Sequence, residues 1–174
     1  MVYFDDVDVP AARLVGTVDM GWRHLLDTLN TERLVTAAGC LATADLALQL
    51  ATDYATTRVV FGRPIGANQG VQFPLAEIKI RLEAARMLTY RAAWQYDSGD
   101  SSGADANMAK YLAAEVAFDA CDRALQTLGG YGFSREYHIE RLWRDVRLFR
   151  LAPLAQELIL AYVGQHVLGL PRSY

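Results

Sequence analysis

Cysteine, histidine and net charge are all scarce in this sequence, and each scarcity closes a class of explanation. Two cysteines, Cys40 and Cys121, build neither a disulfide framework nor a zinc site. Three histidines, His24, His138 and His166, stand too far apart for ligand spacing, so no metal centre is expected. Seventeen basic residues against twenty acidic ones leave a net charge of −3, which provides no general electrostatic footprint for nucleic acid. Long hydrophobic runs are missing as well. The longest uncharged stretch, Leu158 to Pro171, has 14 residues, whereas a bilayer span needs about 20, so no transmembrane helix is expected. The opening MVYFDDVDVP lacks the basic and apolar segments of a signal peptide. With the unpaired cysteines, this predicts a reducing, cytoplasmic setting.

What is present is the material of a core. Hydrophobic residues make up 52% of the 174 and charged residues 21%, which excludes intrinsic disorder and suits one compact domain. Only the first ten residues read as strand, with Val2, Phe4, Val7 and Val9 apolar between polar neighbours and Pro10 closing the run. From Asp19 the period turns helical, with Leu25, Leu29, Thr36, Leu46 and Leu50 on one stripe to about Arg58. Leu34 to Ala44 carries no charge, as expected of a helix buried on most sides.

Phe61 to Gly70 reads as a loop, and a second helix starts near Pro74. Its inner face is Leu75, Ile78, Leu82, Ala85, Thr89, Ala92 and Tyr96, with Glu77–Arg81 and Lys79–Glu83 paired outside. Ser98 to Gly103 is a linker. A third helix runs from about Asp105 to Leu128, with Ala109, Leu112, Val116, Ala120 and Ala124 inward, and stops at Gly129, Gly130 and Gly132. A fourth spans about Glu136 to Leu151, and a fifth, Leu154 to Leu168, follows Pro153. The pattern predicts an all-α, up-down four-helix bundle with an additional C-terminal helix, preceded by a short β-strand remnant.

Four segments could carry chemistry. Glu32 lies on the stripe Leu25–Leu29–Glu32–Thr36–Gly39. Burial there would raise its pKa and suit it as a general base, or it forms an ion pair with Arg33 or another arginine. Arg58-Val-Val-Phe61-Gly62-Arg63 sets two arginines around an aromatic-glycine turn, either a phosphate site or a plain helix end with favourable cations. Gln126-Thr-Leu-Gly129-Gly130-Tyr131-Gly132-Phe133 is either a C-cap or a place where a flat ligand approaches the backbone. Glu140–Arg144 and Arg141–Asp145 form an i,i+4 network of structural character.

In order and spacing, TERLVTAAG, RVVFGRPIGANQ, QTLGGYGF and YHIERLWRDVRLF resemble the acyl-CoA dehydrogenase family, over its C-terminal helical domain. The resemblance covers about Val9 to Gly169. It implies that residues 1–15 end a middle β-domain and its linker, and that residues 16–174 are the helical domain of a longer flavoenzyme subunit. It implies that Arg58 binds the FAD pyrophosphate and that Phe61 and Gln69 line the same cofactor. Gln126, Gly129 and Gly130 fall at the adenosine end. That FAD is held mainly by a neighbouring subunit, so a homodimer, tetramer or hetero-oligomer is implied. Arg33, with Asn30 beside it, matches an acyl-CoA contact.

The commoner position of the family's catalytic base falls on Pro153. A branch similar to isovaleryl-CoA dehydrogenase places the base in an L-x-x-E-R context, here Leu29 to Arg33, on Glu32. The implied reaction is dehydrogenation of an acyl-CoA to the trans-2-enoyl-CoA, with electrons passing to an electron-transfer flavoprotein or similar acceptor. Two alternatives keep the fold: a non-catalytic partner or assembly subunit, and a flavin oxidase or monooxygenase relative. Small residues at Gly39, Ala42 and Thr43 leave room for a pocket beside the first helix.

Overall fold

The computed structural model describes residues 1–100 and 103–173, and it is an all-α bundle. Its long helices are α1 (Gly21–Thr57), α2 (Gln69–Asp97) and α3 (Gly103–Leu128), followed by the shorter α4 (Ile139–Leu148) and α5 (Gln156–Tyr162). One π turn, Val163–Val167, continues α5. A two-residue hairpin, β1 (Val59–Val60) with β2 (Arg63–Pro64), connects α1 to α2. The chain runs up, down and up through α1, α2 and α3. α3 is the central helix, packed most extensively on α1, then on α2 and α4.

Alanine marks the core rather than leucine. The buried line of α1 is Leu34, Ala37, Cys40, Leu41, Ala44, Ala47, Leu48, Ala51 and Ala55. It meets Ala106, Ala109, Ala113, Ala117, Ala120 and Ala124 of α3. Small side chains on both partners let two helix backbones approach closely along their length. This displaces the expected stripe of α1: Leu25 and Leu46 are exposed, Leu29, Thr36 and Leu50 are half-buried, and Glu32 is exposed. With no charge on α1 from Leu34 to Ala44, periodicity cannot choose the inner face there, and side-chain size does. By length and composition α1 could cross a membrane, but here one side of its apolar surface, from Leu34 to Ala55, is packed in the bundle core. Cys40 and Cys121 are fully buried, as expected of small core residues.

α2 buries Ile78, Leu82, Ala85, Thr89 and Ala92, all on its expected inner face, but Tyr96 is exposed. Lys79 Nζ pairs with Glu83 at 2.5 Å, whereas Arg81 reaches across to Asp119 of α3 at 2.7 Å. α2 begins at Gln69 rather than at Pro74, which lies inside the helix. The hairpin and a short 3-10 turn, Ile65–Ala67, bring the chain onto the helix axis before Pro74 is reached.

Residues 1–10 form no strand, for they have no second strand to complete a ladder. The expected linker Ser98–Gly103 lies partly outside the described residues, at positions 101 and 102, and Gly103 already belongs to α3. Pro153 sits in the turn before α5 and is not its first residue. α4 is shorter than expected because a 3-10 turn, Arg135–Tyr137, occupies its entry.

Candidate functional site

The candidate residues fall at opposite ends of the bundle. α1 carries Asn30, Glu32 and Arg33 near its start and is closed by Arg58. At 1.5 Å per residue, Glu32 and Arg58 are about 39 Å apart along the axis.

At the end where α1 finishes, Phe61 (φ 53°) and Gly62 (φ 79°) are the two central residues of the β1–β2 hairpin. Left-handed φ at both positions defines the tight turn whose twist suits paired strands. Glycine adopts such a φ freely, whereas phenylalanine is strained there by about 1–2 kcal/mol. The Phe61 ring is fully exposed, so no contact within this chain offsets that strain. Arg63 is tied down by Asn68, whose Oδ1 accepts its Nη2 at 2.5 Å. Arg58 is exposed, and its side chain has no hydrogen bond or ion pair among the described residues. Gln69, exposed, opens α2 beside this hairpin.

The up-down-up path returns the end of α3 to the same place. A 3-10 turn, Gly129–Phe133, follows α3 there. Ring contacts join the two segments: Tyr54 of α1 lies 6.2 Å from Tyr131 and 6.3 Å from Tyr137, and Tyr131 lies 5.3 Å from Tyr137. Gln126, Gly129 and Gly130 are exposed at this turn. Gly129 needs its left-handed φ of 60°. Gly132 is packed, since a Cβ there would stand 2.5 Å from the Leu125 carbonyl oxygen. Gly130 has neither reason: its φ is ordinary and nothing lies within 4 Å of a Cβ built on it. The bundle thus brings together Arg58, Phe61, Gln69, Gln126, Gly129 and Gly130, all open to solvent. Beside them is a cleft of about 800 Å³ whose walls include Leu125, Phe133, Glu140 and Trp143. Trp143 Nε1 donates to Asp122 Oδ1 at 3.0 Å, which fixes the indole. The i,i+4 pairs on α4 form as expected, Arg144–Glu140 at 2.7 Å and Arg141–Asp145 at 3.0 Å.

The opposite end is built on buried charge. Arg33 is 8% exposed, and its Nη1 donates to Asn30 Oδ1 at 2.7 Å. Burial lowers the Arg33 pKa, while Tyr162 and Glu32 nearby act to raise it. Both residues line a cavity of about 500 Å³ under α5, with Trp22, Asn107, Leu154 and Tyr162. Asn107 Oδ1 is buried there without a hydrogen-bond partner.

Glu32 is the neighbour of Arg33 but points away from this cavity's lining, on the exposed side of α1. The burial expected of it is not supplied by this chain. Its surroundings are an open apolar strip formed by Val35, Gly39, Ala42 and Leu46.

Sequence reasoning missed Lys110. It is fully buried, and its Nζ donates to the carbonyls of Phe149 (2.6 Å) and Leu154 (2.7 Å). Those carbonyls flank the turn that carries Pro153. Lys110 therefore clamps the α4–α5 connection to α3, and burial lowers its pKa. A lysine one residue after a core alanine, with Ala113 and Ala114 one turn further on, was the available signal. Arg150 completes the clamp: its Nε donates to Gln156 Oε1 at 3.1 Å and lies 2.7 Å from Glu115 Oε1, and its guanidinium carbon lies 5.0 Å from the Phe118 ring centroid.

Comparison with known proteins identifies the family of the bundle. Residues 19–168 match the family model described as acyl-CoA dehydrogenase, C-terminal domain. The chain is 46% identical to acyl-CoA dehydrogenase FadE12 of Mycobacterium bovis over 99% of its own length and 45% of that protein. Butyryl-CoA dehydrogenase from Megasphaera elsdenii superposes with a TM-score of 0.89 at 37% identity, covering 95% of this chain and 43% of that one. PigA with FAD and proline superposes at 0.91 and 28% identity, over 96% and 43%. The chain spans less than half the length of these relatives. It belongs to the acyl-CoA dehydrogenase family, and its helical bundle is that family's C-terminal domain.

Proposed function

We propose that this chain is the C-terminal part of an FAD-dependent acyl-CoA dehydrogenase, with Glu32 as the catalytic base. The observation that carries the reading is the strip beside Glu32. Glu32, Val35, Gly39, Ala42 and Leu46 leave an apolar face of α1 open. Gly39 has nothing within 4 Å of a Cβ position, and a mid-helix glycine costs about 1 kcal/mol relative to alanine. Neither the open face nor the glycine serves this chain's own packing. Both suit a flat or acyl ligand laid against the helix.

The far end fits FAD on its own terms, with an uncommitted Arg58, an outward Phe61 and an open Gly130. Arg58 would hold the pyrophosphate, Phe61 and Gln69 would flank the cofactor, and Gln126, Gly129 and Gly130 would receive the adenosine end. FAD, when bound, supplies the acceptor for the β-hydride. The Glu32 carboxylate takes the α-proton of the acyl-CoA, and loss of both hydrogens leaves the trans-2-enoyl-CoA. Asn30 and Arg33 orient the thioester.

The two groups of residues are about 39 Å apart along α1. One chain therefore serves two cofactor sites, and the working unit is a homodimer or tetramer. The electron acceptor is an electron-transfer flavoprotein or a protein of that kind.

Glu32→Gln in the complete flavoenzyme should slow anaerobic bleaching of the flavin by acyl-CoA by about 10²–10⁴-fold while FAD stays bound. Bleaching at the unaltered rate would remove Glu32 from the chemistry. A second reading, a non-catalytic partner subunit, is favoured by Pro153 at the commoner base position. It requires that acyl-CoA leave the wild-type flavin spectrum unchanged.

A further inference from the structure

Lys110 is a costly way to fill the core of α3. It is fully buried, and its Nζ donates to the carbonyl oxygens of Phe149 and Leu154 at 2.6 and 2.7 Å. Taking an ammonium out of water is expensive, and an apolar side chain of similar volume often serves stability as well or better. What the ammonium offers and an apolar chain lacks is direction, because it fixes two chosen oxygens at hydrogen-bond distance. Those oxygens lie on either side of Pro153. Little else holds the turn between them. Pro153 has no N–H, and among the described residues the backbone amides of Leu154 and Ala155 make no backbone hydrogen bond.

Leu154, whose main-chain oxygen Lys110 holds, also lines the cavity of about 500 Å³ that contains Arg33 and Asn30. Two features mark this cavity as a place for a ligand rather than a packing defect. Arg33 is 8% exposed, yet among the described residues its guanidinium donates one side-chain hydrogen bond, to Asn30. Asn107 is 3% exposed. Its Nδ2 donates to the Gly103 carbonyl at 3.0 Å, while its Oδ1 is buried without a partner. A buried acceptor with nothing to accept is destabilising, and a ligand group bearing N–H or O–H answers it.

We infer that Lys110 is a positioning residue for the substrate: by holding the Leu154 carbonyl it sets Leu154 as the wall of the Arg33 cavity against which the acyl-CoA is seated. Lys110 touches neither substrate nor flavin and acts through Leu154. The inference rests on the proposed use of Arg33 for the acyl-CoA. It adds the α4–α5 turn, which the proposed reaction leaves idle because Pro153 carries no base. A wall misplaced by about 1 Å is enough to disturb a seated substrate severely, so a turn with few ties of its own needs such a clamp.

A single substitution of Lys110 mixes folding with function, so the test is a double-mutant cycle in the complete flavoenzyme. Calorimetric titration with trans-2-enoyl-CoA of four, eight and sixteen carbons separates the two effects. Misfolded protein lowers the stoichiometry, whereas a displaced wall raises the dissociation constant. Leu154→Ala keeps the clamped oxygen and removes the wall. Lys110→Met keeps the wall and removes the clamp. Each should weaken binding about tenfold. The double variant should also lose about tenfold, because both changes remove the same contact. A loss of about a hundredfold, the product of two independent effects, would make Lys110 a structural residue only. So would a wild-type dissociation constant in the folded fraction of Lys110→Met. Lys110→Gln, which keeps an N–H donor, takes its place in the cycle if Lys110→Met does not fold, and wild-type binding by Leu154→Ala overturns the inference in either case. A wild-type enzyme that binds none of the three thioesters would remove the acyl-CoA reading itself, and this inference with it. The readout needs no turnover, so a failure of catalysis alone is distinct from a failure here.

Discussion

At the Arg33 end of the bundle the charged groups are buried or half-buried and answered from within: Lys110 by two carbonyls, Arg33 by Asn30, Arg150 by Gln156 and Glu115, with Asn107 Oδ1 alone of those named left without a partner. At the hairpin end they are exposed and unanswered, with Arg58 uncommitted, Phe61 in a strained turn and Gly130 in open space. The difference teaches where a single chain can reveal function. A buried ion can serve folding, a ligand or both, and substitution does not separate these roles, because removing it damages the fold first. An exposed residue whose conformation costs energy and returns no contact has no structural excuse. The hairpin end is therefore the cleaner functional signal, although the Arg33 end contains the more unusual electrostatics.

The sharpest break in that contrast is Lys110→Ala. It opens a cavity the length of a lysine side chain and strands two buried carbonyls, for an expected loss of about 3–5 kcal/mol in denaturant unfolding. A loss below about 1 kcal/mol would show that water replaces the clamp. The pH dependence has a definite sign. Burial holds the folded-state pKa of Lys110 below its unfolded value of about 10.4, so the folded state binds fewer protons than the unfolded one in that window. Relative to a Lys110→Met variant, wild-type stability should rise as pH climbs toward 10.4, and the difference should level off at lower pH once both states are protonated.

Gly132→Ala is the intermediate case, at the hairpin end yet inside the packing. A new Cβ at 2.5 Å from the Leu125 oxygen and 3.0 Å from its Cα meets backbone on both counts. The turn must shift, at an expected cost of about 1–3 kcal/mol. A neutral result by thermal unfolding would mean that the glycine turn is loose and that its three glycines are not distinct in role.

How much of this was legible beforehand follows the same division. The fold class came through because helix periodicity, glycine stops and turn composition agree over most of the chain. The inner face of α2 came through from Ile78 to Ala92 because its charged residues flank that line on both sides, although a second apolar line, Phe73, Ile80, Met87 and Trp94, stays exposed. The inner face of α1 did not, because a helix without charge from Leu34 to Ala44 offers no contrast, and alanine packing decides. Glu32 was expected on that wrong face and is exposed. Lys110 stayed hidden because its partners are main-chain oxygens on a turn about 40 residues further on, which no side-chain pattern encodes. The meeting of Arg58 and Phe61 with Gly129 and Gly130 was legible only through the order of the motifs, and the Tyr54–Tyr131–Tyr137 contacts supply its geometry.

The smallest effect on stability should be the most informative about function. Phe61→Gly removes an aromatic ring that touches nothing in this chain and relieves a left-handed φ of 53°. The hairpin keeps its turn, because glycine takes that conformation at no steric cost. Unfolding stability should stay level or rise by up to about 1 kcal/mol, offset in part by the greater freedom of glycine in the unfolded chain. If Phe61 exists only to meet a cofactor, the same change should lower flavin retention in the complete enzyme by about tenfold, equivalent to about 1.4 kcal/mol of lost contact. Fold and function would then move in opposite directions at one residue, which no substitution at the buried end can achieve. Retained flavin would mean that Phe61 serves another surface, and a fall in stability would mean that the ring packs within the chain in solution.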